Sequence, residues 1–338
     1  MTPPGRSISC LSLLLLVWAG VCFGAAADQA GAKTLPGRYP AAPVRLIEPF
    51  GAGGGPDLLG RALAPKLSAL WGQAVTVENI TGAGATAGPA NVATSPADGY
   101  TLLINTNAQA YSAAFAKRLP YDPLKDFVPV AALTRQAYVL VAGKLAGLTS
   151  VSDLVALAKS KPGLLKFGST GVGTATHLGA VKFNLAAGIN AIHVPPLPSD
   201  SNADMITNVI AGRTTYCITP ISLVLPRLRD GTLVALGVTT TRRSTLLPEV
   251  PTIAEAGIAS FDFPIWYGIW VRSGTPPAVI DQLARNFASV LLEPDMRDWI
   301  AQHGGETMKM TQPEFARFVV SESQSAATII EAAGIKFQ

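Results

Sequence analysis

The chain has 338 residues, of which 49% are hydrophobic and 14% charged, with 26 Lys and Arg against 22 Asp and Glu. That length and apolar content exclude a disordered chain and suffice for two domains with cores of their own. The formal net charge of +4 is scattered, and its densest basic spot, Arg242-Arg243, has no interleaved aromatics, so it reads as a solvated surface turn and nucleic acid is excluded as a partner.

The first predicted element is a leader. Arg6 is its only charge, and the apolar run Leu11 to Phe23 is shorter than the ~20 residues a membrane span needs. Ala25-Ala26-Ala27 offers a small-residue cleavage site, so residues 1–27 read as a signal peptide cleaved near Ala27 and not as a retained anchor. Val21 before Cys22, where a small residue is needed, argues against a lipoprotein. Export implies an oxidising compartment, but Cys10 and Cys22 fall in the leader, and Cys217 alone leaves the mature chain without an intramolecular disulfide.

After the Pro-rich stretch Leu35 to Pro43, β-type apolar runs alternate with helix-period segments, the pattern of parallel sheets covered by helices. The strand VRLIEPF precedes the helix DLLGRALAPKLSALWG, where Leu59, Leu63, Leu67 and Leu70 share one face. Pro65 removes an amide inside that helix, at about 3 kcal/mol in a regular interior, so a kink or early break is expected there. AVTVENI, a Gly/Ala segment and YTLLINT repeat the scheme, followed by AYVLVAG and a helix from Ser150 to Ser160 opened by a Ser150…Asp153 capping pair. LLKFGST then leads into TATHLGAVKFNLAAG, and LVALGVTT closes the middle section. Thr252…Glu255 and Thr311…Glu314 read as capping-box helix starts, and PPAVIDQLARNFASVLL is amphipathic through Val279, Leu283, Phe287 and Val290.

Three glycine-rich loops each follow a strand-like run and precede a helix-like one: FGAGGGPD, TGAGATAG (81–88) and GSTGVGTATH (168–177). Such loops present backbone N–H groups at the positive end of a helix dipole, and the missing side chains let a phosphate or carboxylate approach. A glycine needed only for a tight βα turn explains any single one of them equally well. A dinucleotide fingerprint fails in the first loop at Pro56 and in the third at Thr176. Gly82-x-Gly84-x-x-Ala87 does match, but no acidic residue ends the next strand to hold a ribose, and no G-x-x-x-x-G-K-[ST] exists.

Enzyme constellations are equally incomplete. His177, His193 and His303 do not form H-E-x-x-H, Phe167 spoils G-x-S-x-G around Ser169, and no metal-ligand spacing occurs. Cys217 reads as a small buried apolar residue. A secreted α/β hydrolase using Ser169 or Cys217 with His177 is the competing reading. His177, in the first turn after the third loop, serves either a ligand or a local hydrogen bond, and Asp57 either caps its helix or meets a ligand or water.

The ordered set YPAAPVRLIEPFGAGGGPD, ADGYTLLINT, LPYDPLKDFVPVA, GSTGVGTATHL, LPEVPTIAEAG, WYGIWVRSGTP and AAGIK resembles the tripartite tricarboxylate transporter substrate-binding proteins, also called Bug receptors, over essentially the whole mature chain. The resemblance implies an α/β type II periplasmic binding protein, with two Rossmann-like lobes joined by a hinge: 30–138 plus 243–338, and 139–242. It implies a monomeric, non-enzymatic periplasmic receptor without cofactor or metal. That receptor would close on a di- or tricarboxylate, amino acid or aromatic acid and deliver it to the membrane permease subunits of such a transporter. Carried onto this chain, the grip on a carboxylate comes from Phe50, Gly51, Ala52, Gly53, Gly54, Gly55 and Asp57 on one lobe. Ser169, Thr170, Gly171, Gly173, Thr174 and His177 face them from the other, with Thr106 and Asn107 as further lining. Where the family reads HVPYKG this chain has His193-Val194-Pro195-Pro196-Leu197-Pro198, and Thr219-Pro220 stands where an aspartate is usual. Carboxylate capture is therefore expected to be retained, with altered recognition of the rest of the ligand.

Overall fold

The structure is a computed structural model that describes residues 39–82, 85–114, 119–194 and 202–335. The leader with its cleavage site, Ala83-Gly84 of the second glycine loop and residues 195–201 of the divergent segment lie outside them.

Alternation of strand and helix is realised from the start. β1 (Val44–Glu48), α1 (Gly55–Trp71), β2 (Val75–Asn79), α2 (Ala87–Thr94), β3 (Thr101–Thr106), α3 (Ala108–Tyr111) and β4 (Phe127–Gln136) come first. Next are β5 (Tyr138–Gly143), α4 (Val151–Ser160), β6 (Lys166–Gly168), α5 (Ala175–Ala187), β7 (Ile192–Val194), α6 (Asn202–Ile210), β8 (Tyr216–Pro220), α7 (Ile221–Arg229) and β9 (Leu233–Val238). The chain then returns through β10 (Ile265–Arg272), α8 (Pro277–Leu292), α9 (Pro294–Gln302), β11 (Gly305–Thr307) and α10 (Gln312–Ala332).

The strands form a six-stranded sheet, β11-β4-β10-β3-β1-β2, and a five-stranded sheet, β7-β6-β8-β5-β9. Both repeat one plan. Three parallel strands (β2-β1-β3, β7-β6-β8) are followed by an antiparallel strand inserted from a crossover (β10, β5) and then a fifth strand parallel to the first three (β4, β9). Only Ala137 separates β4 in one sheet from β5 in the other. The register decides what meets there: Thr106 at the end of β3 lies opposite Tyr267, Gln136 at the end of β4 lies opposite Ile265, and Pro220 at the end of β8 lies opposite Tyr138. The C-terminal ends of the parallel strands of both sheets therefore point at the same crossover, where ligands of open α/β sheets bind. Thr239 ties this crossover to the returning one. Its buried hydroxyl accepts from the Tyr138 amide (3.0 Å) and donates to the Phe263 carbonyl (2.7 Å), while the Phe263 amide donates to the Thr239 carbonyl.

Leu59, Leu63 and Leu67 of α1 are buried as their spacing predicts, but Leu70 is 50% exposed, in the last turn of a helix closed two residues later by Gly72 in the left-handed region. The break expected at Pro65 does not occur. Pro65 and Arg61, whose carbonyl it deprives of a donor, both sit on the exposed face, where an unpaired carbonyl costs little because it is open to solvent. Thr252 and Glu255 exchange the two capping-box bonds (2.8 and 2.9 Å), yet they close a turn and not a helix, since Gly257 at φ 103° ends it at once. The capping pair at Ser150 and the box at Thr311 do open α4 and α10. In the core, Phe315 of α10 packs edge-on against Trp266 (5.8 Å) and tilted against Trp270 (5.5 Å). Gly268 between the two tryptophans allows this, because a Cβ there would run into the Phe315 ring.

Candidate functional site

The first glycine loop leaves β1 at Glu48 and enters α1 through Gly54, whose extended backbone precedes Pro56 in the first turn. Its shape is set from behind by carboxylates. The Gly53 amide donates to Asp57 Oδ2 (2.9 Å), and the Phe50 amide donates to Glu48 Oε1 (3.0 Å). Asp57 Oδ1 accepts from Arg61 Nε and from Asn79 Nδ2, both at 2.9 Å. Asp57 is 2% exposed, and both its oxygens serve protein donors, so it holds the loop. Burial alone would raise its carboxyl, but the bonds from Arg61, Gly53 and Asn79 outweigh that and keep it below the usual range. Glu48 is wholly buried, and desolvation pushes its carboxyl up to about 7 against the pull of Asn79 and Phe50. A raised carboxyl favours the protonated native state, so Glu48 supports stability most fully below 4.5 and that support is lost as the pH rises through about 7.

Gly55 lies directly over the hydroxyl of Tyr267, which accepts from Gln136 Nε2 (2.6 Å), so no side chain fits there. Gly55, Leu58, Gln136 and Tyr267 line a small cavity together with Ser222, from the first turn of α7 beyond β8. The start of α1 and the five-stranded half thus border one space. Larger cavities, of ≈ 430 Å³ behind Trp266 and Phe318 and ≈ 650 Å³ between α8 and the segment before α10, include no residue of either glycine loop.

The third loop runs from Gly168 of β6 to α5. Gly171, at φ 121°, is its hub. Its amide donates to Ser169 Oγ (3.1 Å), and its carbonyl accepts from Thr174 Oγ1 (2.7 Å) and from the Thr174 amide (3.3 Å). Thr176 Oγ1 takes the Thr170 amide (2.9 Å), and the Gly173 amide donates to His177 Nδ1 (3.3 Å). His177 is buried against Phe167 and serves the loop from within. Ser169 Oγ bonds His193 Nε2 (2.7 Å), so the Ser169–His177 pairing of the hydrolase reading is not the one the structure makes: β7 lies beside β6 and brings His193 to the serine. Cys217 is fully buried, and burial pushes its thiol up to about 12, which leaves no thiolate nucleophile.

Desolvation, aided for His177 by its neighbour His193, lowers His177 to about 3, and desolvation lowers His193 to about 4. Both stay neutral across the physiological range. Their contribution to stability is complete above the ordinary 6.5 and is lost as the pH falls toward those values. A histidine-resolved NMR titration should therefore show neither ring protonating above about pH 5, with the melting temperature declining below pH 6.5. Titration of either ring near 6.5 would contradict the burial argument.

Thr106 and Asn107 are buried. Thr106 Oγ1 accepts from the Ala108 amide (3.1 Å), and Asn107 Nδ2 donates to Tyr111 Oη and the Pro264 carbonyl, each at 3.2 Å. In the second glycine loop, Gly88 packs on Pro49 so closely that a Cβ would lie 3.0 Å from its Cα, a turn-and-packing role. Residues that motif reading missed are Glu48, Asn79, Arg61, Thr176 and His193. The visible signal was Glu48 and Asn79, polar residues ending otherwise β-type runs.

The profile of the family described as "Tripartite tricarboxylate transporter family receptor" matches residues 59–335. Protein BugT of Bordetella pertussis is 31% identical over 327 residues, 96% of this chain and 97% of BugT. Rpa4515 of R. palustris, solved with adipate, is similar at a TM-score of 0.78 and 30% identity over 88% of this chain and 99% of its own. MatC from Rhodopseudomonas palustris, solved with bound malate, gives a TM-score of 0.76 at 25% identity over 86% and 100%. The fold is thus the two-sheet α/β fold of the periplasmic binding proteins, and the chain belongs to the tripartite tricarboxylate transporter receptor family.

Proposed function

We propose that this protein is a monomeric, non-enzymatic periplasmic receptor that captures a small carboxylated solute and delivers it to the membrane permease of a tripartite tricarboxylate-type transporter. One observation carries the reading: two helices, α1 and α5, open through glycine-bearing loops at the strand ends of two sheets directed at one crossover. Helix geometry leaves the first-turn amides of Gly55 and Asp57 in α1, and of Ala175 and Thr176 in α5, without intrahelical acceptors. Those amides and the helix dipoles suit a carboxylate and require no arginine. Adipate and malate in the related structures support the same class of ligand.

The strand order supports the lobes 30–138 with 243–338, and 139–242, hinged where Thr239 joins the two crossovers. A ligand touching both lobes binds the closed state better than the open one, and that difference drives closure. Calorimetry with adipate, malate, a tricarboxylate, an amino acid and an aromatic acid should find one-to-one binding of at least one of them. Turnover without stoichiometric binding would sink the receptor reading in favour of a hydrolase. Recovery of the protein from the periplasm with Asp28 at its N-terminus would support export and cleavage after Ala27.

A further inference from the structure

We propose that Asn79 is a positioning residue for carboxylate capture, which with Glu48 fixes the Phe50–Asp57 loop from behind; this rests on the receptor reading above. Asn79 ends β2 directly opposite Glu48, the last residue of β1, so the parallel register puts the two side chains together where the loop departs. Its Nδ2 donates to Glu48 Oε2 (2.7 Å) and to Asp57 Oδ1 (2.9 Å), with a longer contact to the Phe50 carbonyl (3.4 Å). Its Oδ1 accepts from Arg61 (3.0 Å). One amide therefore joins β1, the loop and α1. The far oxygens of the two carboxylates hold the Phe50 and Gly53 amides, one just before the glycine run and one at its middle.

Packing does not hold this loop on its outer side. A Cβ at Gly51 or Gly53 would meet nothing within 4 Å, so the hydrogen-bonded network is what gives the loop one shape. The chemistry demands a carboxamide. It supplies two donors to two carboxylates and one acceptor to a guanidinium; a carboxylate in its place would gather three acids around Arg61, and an alkyl group would take a donor from the wholly buried Glu48. Asn79 has its polar atoms committed to these partners and acts on a ligand through the loop.

The test is calorimetry on the full mature chain with adipate and malate, beside circular dichroism to establish folding. Asn79→Ala should weaken each acid that the wild type binds by about 10-fold to 100-fold, by a similar factor for each. Asn79→Asp should bind weakly at pH 8 and recover at pH 5.5, because a protonated carboxyl can again donate to Glu48 or Asp57 and accept from Arg61, in a site whose other charged and titratable neighbours are Glu48, Asp57, Arg61 and, through its electrostatic coupling to Glu48, Tyr267. Glu78→Ala, which breaks the half-exposed Arg45–Glu78 pair between β1 and β2 beside Asn79, should leave affinity unchanged. Wild-type affinity in folded Asn79→Ala overturns the proposal, as does an equal loss in Glu78→Ala. Should Asn79→Ala not fold, an Asn79→Asp pH profile identical to the wild type overturns it. A wild-type chain that binds no acid in the wider panel refutes the receptor reading itself, whereas wild-type binding unaltered by the Asn79 variants refutes only this role.

Discussion

Asp57→Ala should weaken every carboxylated ligand by about 100-fold, equivalent to ~2.8 kcal/mol, without changing their order of affinity. Three donors converge on this side chain: the Gly53 amide, Arg61 and Asn79. Alanine frees the Gly53 amide to turn toward solvent, leaves an Asn79 N–H without its acceptor and frees the Arg61 side chain from its pair with Asp57 one turn back on α1. The loop then samples many shapes, and a ligand must select one of them, which lowers apparent affinity by the fraction competent to bind. Losing hydrogen bonds to a buried charged acceptor should also cost about 1–3 kcal/mol of folding stability. Calorimetry across dicarboxylates, hydroxy acids and amino acids checks the first expectation, and thermal unfolding checks the second. The pattern of loss is diagnostic. A loss confined to hydroxy- or amino-acid ligands would mean that Asp57 touches the α-substituent, and the loop-holding role would fall.

Much of the fold is legible in the sequence because βα alternation is a local signal. VRLIEPF, AVTVENI, YTLLINT, AYVLVAG and LVALGVTT all lie on strands of the structure, and the leucine spacing identifies α1. What escapes is decided by distant partners. That β10 inserts antiparallel between β3 and β4 depends on Thr106 meeting Tyr267, which no local periodicity encodes. Leu70 and Pro65 differ from expectation for a related reason: their helical positions are correct, but which face meets water is settled by tertiary packing. The Thr252…Glu255 box forms its bonds yet opens no helix, since capping chemistry also closes isolated turns.

The candidate site divides in the same way. Its glycines were visible because left-handed backbone is a property of one residue, as at Gly53, Gly171 and Gly173. The network behind them was not, because Glu48, Asn79 and Asp57 come from the ends of two strands and the start of a helix and meet only after β1 and β2 pair. Ser169 finds His193 through the pairing of β6 with β7, where linear proximity suggested His177.

Gly171→Val should abolish measurable carboxylate binding, or weaken it by at least about 100-fold, and Gly53→Val should follow with a smaller loss. The structure alters the reason. A Cβ at Gly53 would meet nothing within 4 Å, so blocking an approaching ligand is only part of the effect; φ values of 80° at Gly53 and 121° at Gly171 are ones a β-branched residue avoids. Forcing valine into such regions costs about 1–3 kcal/mol, which the loop escapes by changing its backbone. At Gly171 that change breaks bonds on both sides of one residue, from its amide to Ser169 and from Thr174 to its carbonyl, and so re-aims the turn leading into α5. At Gly53 only the bond to Asp57 is at risk, hence the smaller loss. Gly188→Val separates loop geometry from strain in general: Gly188 caps α5 at φ 61° with open space around it, far along the helix from the loop. That variant should lose stability and keep its affinity. Equal affinity losses at Gly188 and Gly171, or wild-type binding by Gly171→Val, would show that the third loop does not grip the ligand.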